Sequence, residues 1–308
     1  MNGTEIINFL ANGLESMSSA VGPVAGALFT AIFLRHNTKT DEFEKIKAGQ
    51  FREVADDLLA SGKMTYTEYY KANNFLNVAK KADSYYREHP KSEEKGTYDF
   101  DWFVRFFEAA GNVSDDTMQN LWAKILAGEI AHPSTFSLKT IDVMRNLSKR
   151  DAELFIKVCS HSFISRVTNY FLPNEKEFLE TVGIQYTDIM KLSELGLMFN
   201  DGTISLNISI SNEPRILINN HSLIMLISSV SGNSEKASIG QYPFTEVGKE
   251  LSTMISESAS DEDFFKYGQL LSRNKSHKIS VHKVIKWNGD LVEYNETNLI
   301  SQEVPVTE

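Results

Sequence analysis

The feature of this sequence that most constrains its fold is a change of hydrophobic period part-way along the chain. Between residues 101 and 159 apolar residues recur every three or four positions, as on the buried face of a helix. From Thr203 to Ile210 polar and apolar residues alternate strictly, which is typical of a half-buried strand. We therefore predict an α+β protein, with an all-helical N-terminal half to about residue 170 and a smaller α+β domain over residues 172–300.

Residues 39–97 are predicted to form a helical hairpin. Thr65 and Glu68 have the spacing of a capping box and should open its second helix. The polar segment 89–98 is the predicted linker to the next domain. The second helix carries an aromatic cluster that would suit base stacking but is more typical of a protein core: Tyr66, Tyr69 and Tyr70.

Residues 98–171 are predicted to form a small antiparallel bundle, because short loops separate capped amphipathic segments. Ser114 should cap the central helix, with Asp115 in its first turn. Pro133 should end that helix, and Ser137 should cap the next one. The central helix should bury one face, formed by Met118, Leu121, Trp122, Ile125 and Leu126.

The segment from Asp101 to Phe155 resembles a bacterial family of unknown function. The shared pattern is an acidic-Trp start, a Ser-Asp cap, Trp-x-x-Ile-Leu-Ala-Gly-Glu, then Pro, Phe-Ser and a Leu-Ser-x-x-Asp-Ala close. The family usually has Gly after the Pro, where this chain has Ser134. We interpret the hallmark residues as structural: Trp102, Ser114, Asp115, Trp122, Gly128, Glu129, Pro133, Phe136, Ser137 and Asp151.

The same segment is similar, more loosely, to the abortive-infection alpha family. The shared features are a Trp-x-x-Leu-Leu-Ala-like run, a later His-Pro-x-x-Phe and a Leu-Ser-x-x-Asp pattern. This second resemblance implies a setting in defence against phage. Neither resemblance implies a catalytic residue.

Residues 1–38 form a separate apolar segment, in which 19 residues from Ser16 to Leu34 carry no charge. A spanning helix needs about 20 mostly apolar residues, and Gly22, Pro23 and Gly26 lower the helicity of this run. The absence of a basic start argues against a secretory signal. Three interpretations remain: a buried or partner-covered helix, a membrane-inserting or interfacial segment, and a flexible arm. The predicted contact residues are Val21, Val24, Leu28, Phe29, Ile32 and Phe33.

The sequence contains no signature of catalysis, of a cofactor site or of a metal site. Its single cysteine, Cys159, excludes a disulfide framework, and its seven histidines are scattered without carboxylates at ligand spacing. Glu129, His132 and Ser134 invite a Ser-His-Glu interpretation, but no strand–turn–helix elbow surrounds the serine. A helix-ending turn is preferred there, so we expect binding rather than catalysis and no cofactor.

The C-terminal domain is predicted to be similar to a winged helix, as a fold-level analogy. A helix from Tyr186 to Leu195 is followed by a predicted hairpin around Asp201-Gly202 and by a helix that Thr245 caps. The helix that would read bases carries more acidic than basic residues, which is unsuited to phosphate contacts. We therefore expect this module to contact protein.

A group of basic residues follows near the C-terminus, on a predicted strand that we expect to be a solvated sheet edge. Residues 301–308 should be a frayed tail. The chain has 308 residues and a net charge of −10, which argues against one broad nucleic-acid surface.

These patterns, with the resemblances, predict a cytoplasmic bacterial protein of phage defence or of a mobile element, with the inner face of the membrane as an alternative location. It would act through its N-terminal segment on a protein partner, on a second copy of itself or on a membrane. The runner-up is a nucleic-acid-binding or regulatory winged-helix protein, and a hydrolase is a third class.

Overall fold

The computed structural model describes residues 56, 59–62, 65–88, 99–165, 169–220, 222–255, 259–288 and 291–300. The chain divides into two compact units between Lys149 and Arg150. The predicted apolar segment, most of the first helix of the predicted hairpin and the predicted tail lie outside the described residues. The α+β class is confirmed, while the predicted domain limits at residues 38, 97, 171 and 300 stay predictions.

The described part of the first unit is helical, with α1 (Tyr66–Glu88), α2 (Phe100–Ala110), α3 (Asp116–Ala131) and α4 (Leu138–Asn146). Local side chains start these helices. The predicted capping box is confirmed, since the Glu68 backbone N–H donates to Thr65 Oγ1 and the Thr65 N–H donates to the Glu68 carboxylate. Asp99 caps α2 by accepting from two backbone N–H groups.

Aromatic side chains fill the core of this unit, where α1 packs against α2 and α3. Phe75, Phe103, Phe106 and Trp122 are fully buried, and the predicted face of α3 is buried as expected. The core prediction was wrong for two aromatic residues of α1, because Tyr66 and Tyr70 are 80% and 47% exposed. These two residues lie on the opposite side of the helix from the buried Phe75 stripe.

The described strands of the second unit form an eight-stranded sheet in the order β3-β6-β2-β1-β4-β5-β7-β8, and every neighbouring pair is antiparallel. The strands are β1 (Phe163–Ser165), β2 (Asn169–Pro173), β3 (Ser205–Ile210), β4 (Arg215–Asn219), β5 (Leu223–Ser229), β6 (Glu235–Pro243), β7 (His277–Asn288) and β8 (Leu291–Tyr294).

Five further helices occur in the described residues: α5 (Lys149–Cys159), α6 (Lys176–Val182), α7 (Tyr186–Glu194), α8 (Glu246–Ser252) and α9 (Asp261–Ser272). Gly183 ends α6 in the left-handed conformation, and Thr245 caps α8 as predicted. Helix α9 packs on β5 and β7 and places Phe264 and Tyr267 in the core. None of the helices in the described residues is long and apolar enough to cross a bilayer.

Three expectations were wrong. Strand β1 lies before residue 170, so the N-terminal half is not all-helical to that point. The predicted hairpin at Asp201-Gly202 does not form, because β3 pairs with β6 and places Ser205 opposite Gly240. At the predicted turn, Asp201 Oδ1 accepts a hydrogen bond from the Thr203 N–H. The basic strand β7 is not an edge, since it lies between β5 and β8.

The strands from β3 to β6 form one long hairpin that bends half-way. The β3–β6 ladder continues into the β4–β5 ladder, and at the bend the Ser229 N–H donates to the Ser211 carbonyl oxygen over 2.7 Å. The half of this hairpin that β4 and β5 form is paired on both sides, since β4 pairs with β1 and β5 pairs with β7. All seven residues of β5 are buried, so this half is part of the sheet rather than a projection from it.

Candidate functional site

Several hallmark residues come together around the loop that follows α3. The Trp102 indole Nε1 donates to the Phe136 carbonyl oxygen over 2.8 Å. The Phe136 ring lies so close to Gly128 that a Cβ there would be 2.8 Å from the ring. The close approach of ring and helix therefore requires glycine at position 128.

The Glu129 side chain is hydrogen-bonded to the backbone of the same loop. Its side chain is 3% exposed, and its two carboxylate oxygens accept from the Ser134 N–H over 2.6 Å and from the Phe136 N–H over 3.0 Å. Burial raises the pKa of Glu129, and the hydrogen bonds from these backbone groups oppose that rise. The contacts shown for this carboxylate are with its own loop, which indicates a structural function.

The geometry of this loop favours a structural role for Glu129 over the Ser-His-Glu interpretation. Glu129 binds the backbone N–H of Ser134, while Ser134 itself has φ +69°, in the left-handed region. Glycine adopts this conformation readily, whereas a residue with a Cβ does so at a cost. The segment is thus a helix-ending turn, as the sequence predicts, and the backbone N–H groups of that turn occupy the Glu129 carboxylate.

The remaining hallmark residues lie in separate places. Asp115, rather than Ser114 as predicted, caps α3 by accepting from the Met118 N–H, because the helix begins one residue later than expected. Trp122 is fully buried, and its Nε1 has no hydrogen-bond partner in the described residues. Pro133 follows the end of α3 and Ser137 caps α4. Asp151 lies in the second unit, 3.5 Å from the Lys191 ammonium.

Helix α7 presents an exposed apolar surface in the second unit. Tyr186 and Met190, one turn apart, are 52% and 41% exposed, and Phe199, shortly after the helix, is 49% exposed. The Tyr186 hydroxyl donates to the Asn200 carbonyl oxygen over 3.4 Å, which places the ring beside that segment. We call these three side chains the α7 face. Isolated exposed apolar side chains are ordinary, whereas a cluster on one helix is typical of a contact surface.

The charges around the α7 face are mostly negative. Lys191, the one basic residue of α7, lies beside Asp151 of α5. Asp188 accepts from the Gln185 N–H, and hydrogen bonds from Thr203 lower the pKa of Asp201. Asp201 therefore remains ionised at neutral pH, and this surface offers little to a phosphate backbone.

A second candidate is an open cleft of about 710 Å³ beside the first turn of α9. There His161 Nδ1 lies 2.9 Å from Asp263 Oδ2, and Asp263 is 6% exposed. Burial would raise the pKa of Asp263, but its hydrogen bond and charge interaction with His161, together with its hydrogen bonds with Ser260, outweigh burial and lower the pKa. A fixed His–Asp pair is one part of a hydrolytic site.

A hydrolytic site also needs a nucleophile that is hydrogen-bonded to the histidine, and no described residue of this cleft provides one. The Ser160 hydroxyl donates to the Lys157 carbonyl oxygen, and the Ser222 hydroxyl donates to Asp261 over 2.7 Å. Asn220 also donates to Asp261 over 3.0 Å. These bonds tie the start of α9 to neighbouring loops, so the His161–Asp263 pair has the geometry of a structural contact.

Sequence reasoning treated His161 as one of seven scattered histidines and so missed this pair. Its partner is 102 residues away, and no spacing rule connects them. The available signal was Ser260 followed by Asp263, which marks the start of α9 but not its histidine. In the part of the chain that the structure describes, no group of three or more histidine, cysteine or acidic residues could hold a metal ion.

The relationship of the chain to known families rests on one extensive match. The profile of a family described as a protein of unknown function, DUF2806, matches residues 61–269, which is more than half of the chain. The chain belongs to the DUF2806 family. The DUF2806 match includes the Glu129 loop, the α7 face and most of α9. It ends before β7, and it does not include the predicted N-terminal contact residues. No curated protein and no solved structure matches the chain.

Proposed function

We propose that this DUF2806 protein acts by binding rather than by catalysis, and that the α7 face is its contact surface for a protein partner. The observation that supports this most directly is the exposure of Tyr186, Met190 and Phe199 on and beside one helix. Exposed aromatic and Met side chains are enriched in protein interfaces. The surrounding acids favour a partner with basic residues at the rim of its contact surface.

The order of elements supports a winged-helix-like module as the framework of this surface. Helices α5, α6 and α7 precede β3, and β3, β6 and β2 are neighbours in that order. A winged helix has the same sequence of three helices and a hairpin beside a short third strand, so the likeness is one of topology. In that comparison α7 corresponds to the recognition helix.

The alternative proposal, a nucleic-acid-binding winged helix, has less support. The hairpin that would be the wing continues into β4 and β5, which are paired with β1 and β7. It therefore has no free tip to enter a groove. The recognition helix would also bring Asp188 and Glu194 towards phosphates, with Lys191 beside Asp151.

The biological setting that we propose is anti-phage defence or a mobile element. It rests on the resemblance of the segment from Asp101 to Phe155 to the abortive-infection alpha family. The apolar segment with Phe29 at its centre would be a second contact, with a membrane or with another protein chain, and its place at the inner face of the membrane is part of the same proposal. This segment lies outside the described residues.

The test of the α7 face is the substitution Met190→Glu in a bacterial strain whose plating by phage depends on the protein. A buried charge in an interface core is unfavourable, so we expect protection to fall by about tenfold or more. Gln269→Glu is the matched control, because Gln269 is exposed on α9 and is not part of the α7 face, and this variant should keep full protection. Both variants should keep a thermal midpoint within about 2 °C of the parent.

Full protection by Met190→Glu would overturn the assignment of the α7 face. A gel shift with duplex DNA separates the two winged-helix proposals. We expect weak or no retention at physiological salt, whereas tight retention that falls steeply with salt would establish the nucleic-acid alternative.

A further inference from the structure

The eight-stranded sheet ends in two edge strands, β3 and β8, which differ in their protection against pairing with another chain. Strand β8 has four residues and carries Glu293, and its ladder with β7 shifts register between Val284 and Lys286. A short length, a charge and a bulge are devices by which proteins protect a sheet edge. Strand β3 has six residues, contains no charge and no proline, and pairs with β6 without a shift of register. By these criteria the edge at β3 is unprotected.

The backbone of β3 presents hydrogen-bonding groups at this edge. The Gln241 N–H donates to the Ile204 carbonyl oxygen over 3.0 Å, so Ile204 and every second residue after it bond β6. Ser205, Asn207 and Ser209 therefore point their N–H and C=O groups away from β6, and we call these groups the β3 edge. Among the described residues no strand pairs with the β3 edge, and the Asn207 side-chain amide donates to the Ser205 carbonyl oxygen over 3.3 Å in place of one.

The sequence around the β3 edge is symmetrical about Ile208. Residues of the same kind stand at equal distances on its two sides: the buried Leu206 and Ile210, the exposed Asn207 and Ser209, and the pair Ser205 and Ser211. In an antiparallel pair of strands, directly opposite side chains lie on the same face of the sheet. A second, antiparallel copy of β3 would therefore set apolar residues opposite apolar residues and polar residues opposite polar ones, with no like charges opposed.

We propose that the β3 edge pairs with β3 of a second copy of this chain, antiparallel and in the register that sets Ile208 opposite its own copy. Asn207 of each copy then exchanges both backbone hydrogen bonds with Ser209 of the other, because both residues point outward. The two sheets become one continuous sheet across a twofold axis. The symmetry of the strand favours a second copy over an extended segment of another protein, which would need no such symmetry. The β3 edge contains no residue of the α7 face, and the pairing does not depend on the function proposed for that face.

The experiment measures the mass of the full chain by sedimentation equilibrium from about 1 to 100 μM. A six-residue edge is small beside a standard interface of about 20 residues a side, so we expect a dimer with a dissociation constant in the micromolar range. The double change Asn207→Lys and Ser209→Lys places lysines opposite lysines and should weaken dimerisation by about tenfold or more. The double change Asn207→Lys and Ser209→Glu alters the same two positions but places each lysine opposite a glutamate, so dimerisation should be at least as strong as in the parent.

Glu293→Lys on β8 is the control for charge, because it raises the net charge as much as the double-lysine variant does and should leave the dimer unchanged. All three variants change exposed residues, so each should keep the circular dichroism spectrum of the parent. A parent that stays monomeric at about 100 μM overturns the proposal and leaves the β3 edge to an extended segment of another protein.

Two other results overturn the proposal. If the double-lysine variant dimerises as well as the parent, the contact between the two copies lies elsewhere. If the lysine–glutamate variant dissociates, the antiparallel register around Ile208 is excluded.

Discussion

At the scale of single residues, Ser134 stands out because it has a positive φ without being glycine. The left-handed conformation costs a residue with a Cβ about 1–2 kcal/mol, and part of that cost is recovered as lower entropy of the unfolded chain. We predict that Ser134→Gly stabilises the protein by about 0.5–1 kcal/mol in urea unfolding. Thr135→Gly, a neighbouring change without this strain, should destabilise it, and a loss of stability in Ser134→Gly would contradict the prediction.

A second prediction at this scale concerns Glu129 and pH. Burial raises the pKa of Glu129 above its ordinary value of 4.5. The protonated side chain therefore contributes its full stabilisation below pH 4.5, and this stabilisation is lost as the pH rises through the pKa that Glu129 has in the folded protein. Gln cannot ionise. We therefore expect the stability of Glu129→Gln to improve relative to the parent between about pH 4 and pH 7, measured as urea midpoints.

The parent is the control for Glu129→Gln, because the two proteins share every other titrating group and a difference in their pH dependence comes from position 129. The opposite trend, with the parent gaining on the variant as pH rises, would mean that the backbone N–H groups of Ser134 and Phe136 outweigh burial. The pKa of Glu129 would then be lowered, and the loop would be held by an ionised carboxylate.

At the scale of helices and strands, α8 depends on a close approach that only glycine permits. A Cβ at Gly248 would lie 2.0 Å from the Leu197 carbonyl oxygen, a backbone atom that cannot move aside. We predict that Gly248→Ala destabilises the protein by about 3 kcal/mol or more. Gly202→Ala is the control, because its Cβ would have contacts of 3.4 Å or longer, and it should change the urea midpoint little.

Elements whose partners are close in sequence could be predicted, and elements whose partners are distant could not. The caps at Thr65, Ser137 and Thr245 were confirmed because each side chain bonds a backbone group three residues away. The hairpin at Asp201-Gly202 was wrong because the partner of β3 lies at residues 235–240, beyond a second hairpin. The His161–Asp263 pair joins residues 102 positions apart and left no local pattern.

At the scale of the whole molecule, the remaining prediction concerns the apolar N-terminal segment. Phe29→Asp places a charge in an uncharged run of 19 residues, which opposes burial against lipid or protein. We expect loss of protection in a phage-plating assay, loss of partition into membranes if that is its target, and an unchanged circular dichroism spectrum. Thr30→Ser, a change of one methyl group beside it, should keep full protection.

Full activity of Phe29→Asp would remove the segment from the mechanism. Global unfolding of the variant would instead identify the segment as ordinary core. The α7 face gives an independent comparison: if Met190→Glu abolishes protection and Phe29→Asp does not, the contact with the partner lies in the second unit alone.

The bent hairpin from β3 to β6 has a consequence for synthesis of the chain. Strand β5 is buried along all seven residues, but one of its two neighbours, β7, begins only at His277. Until the ribosome has released that residue, one side of β5 has no partner, and an unpaired apolar strand readily pairs with other chains. Nascent or prematurely terminated chains that end between residues 243 and 277 should therefore need chaperones or fast degradation, whereas chains that end before residue 223 would lack the hazardous strand altogether.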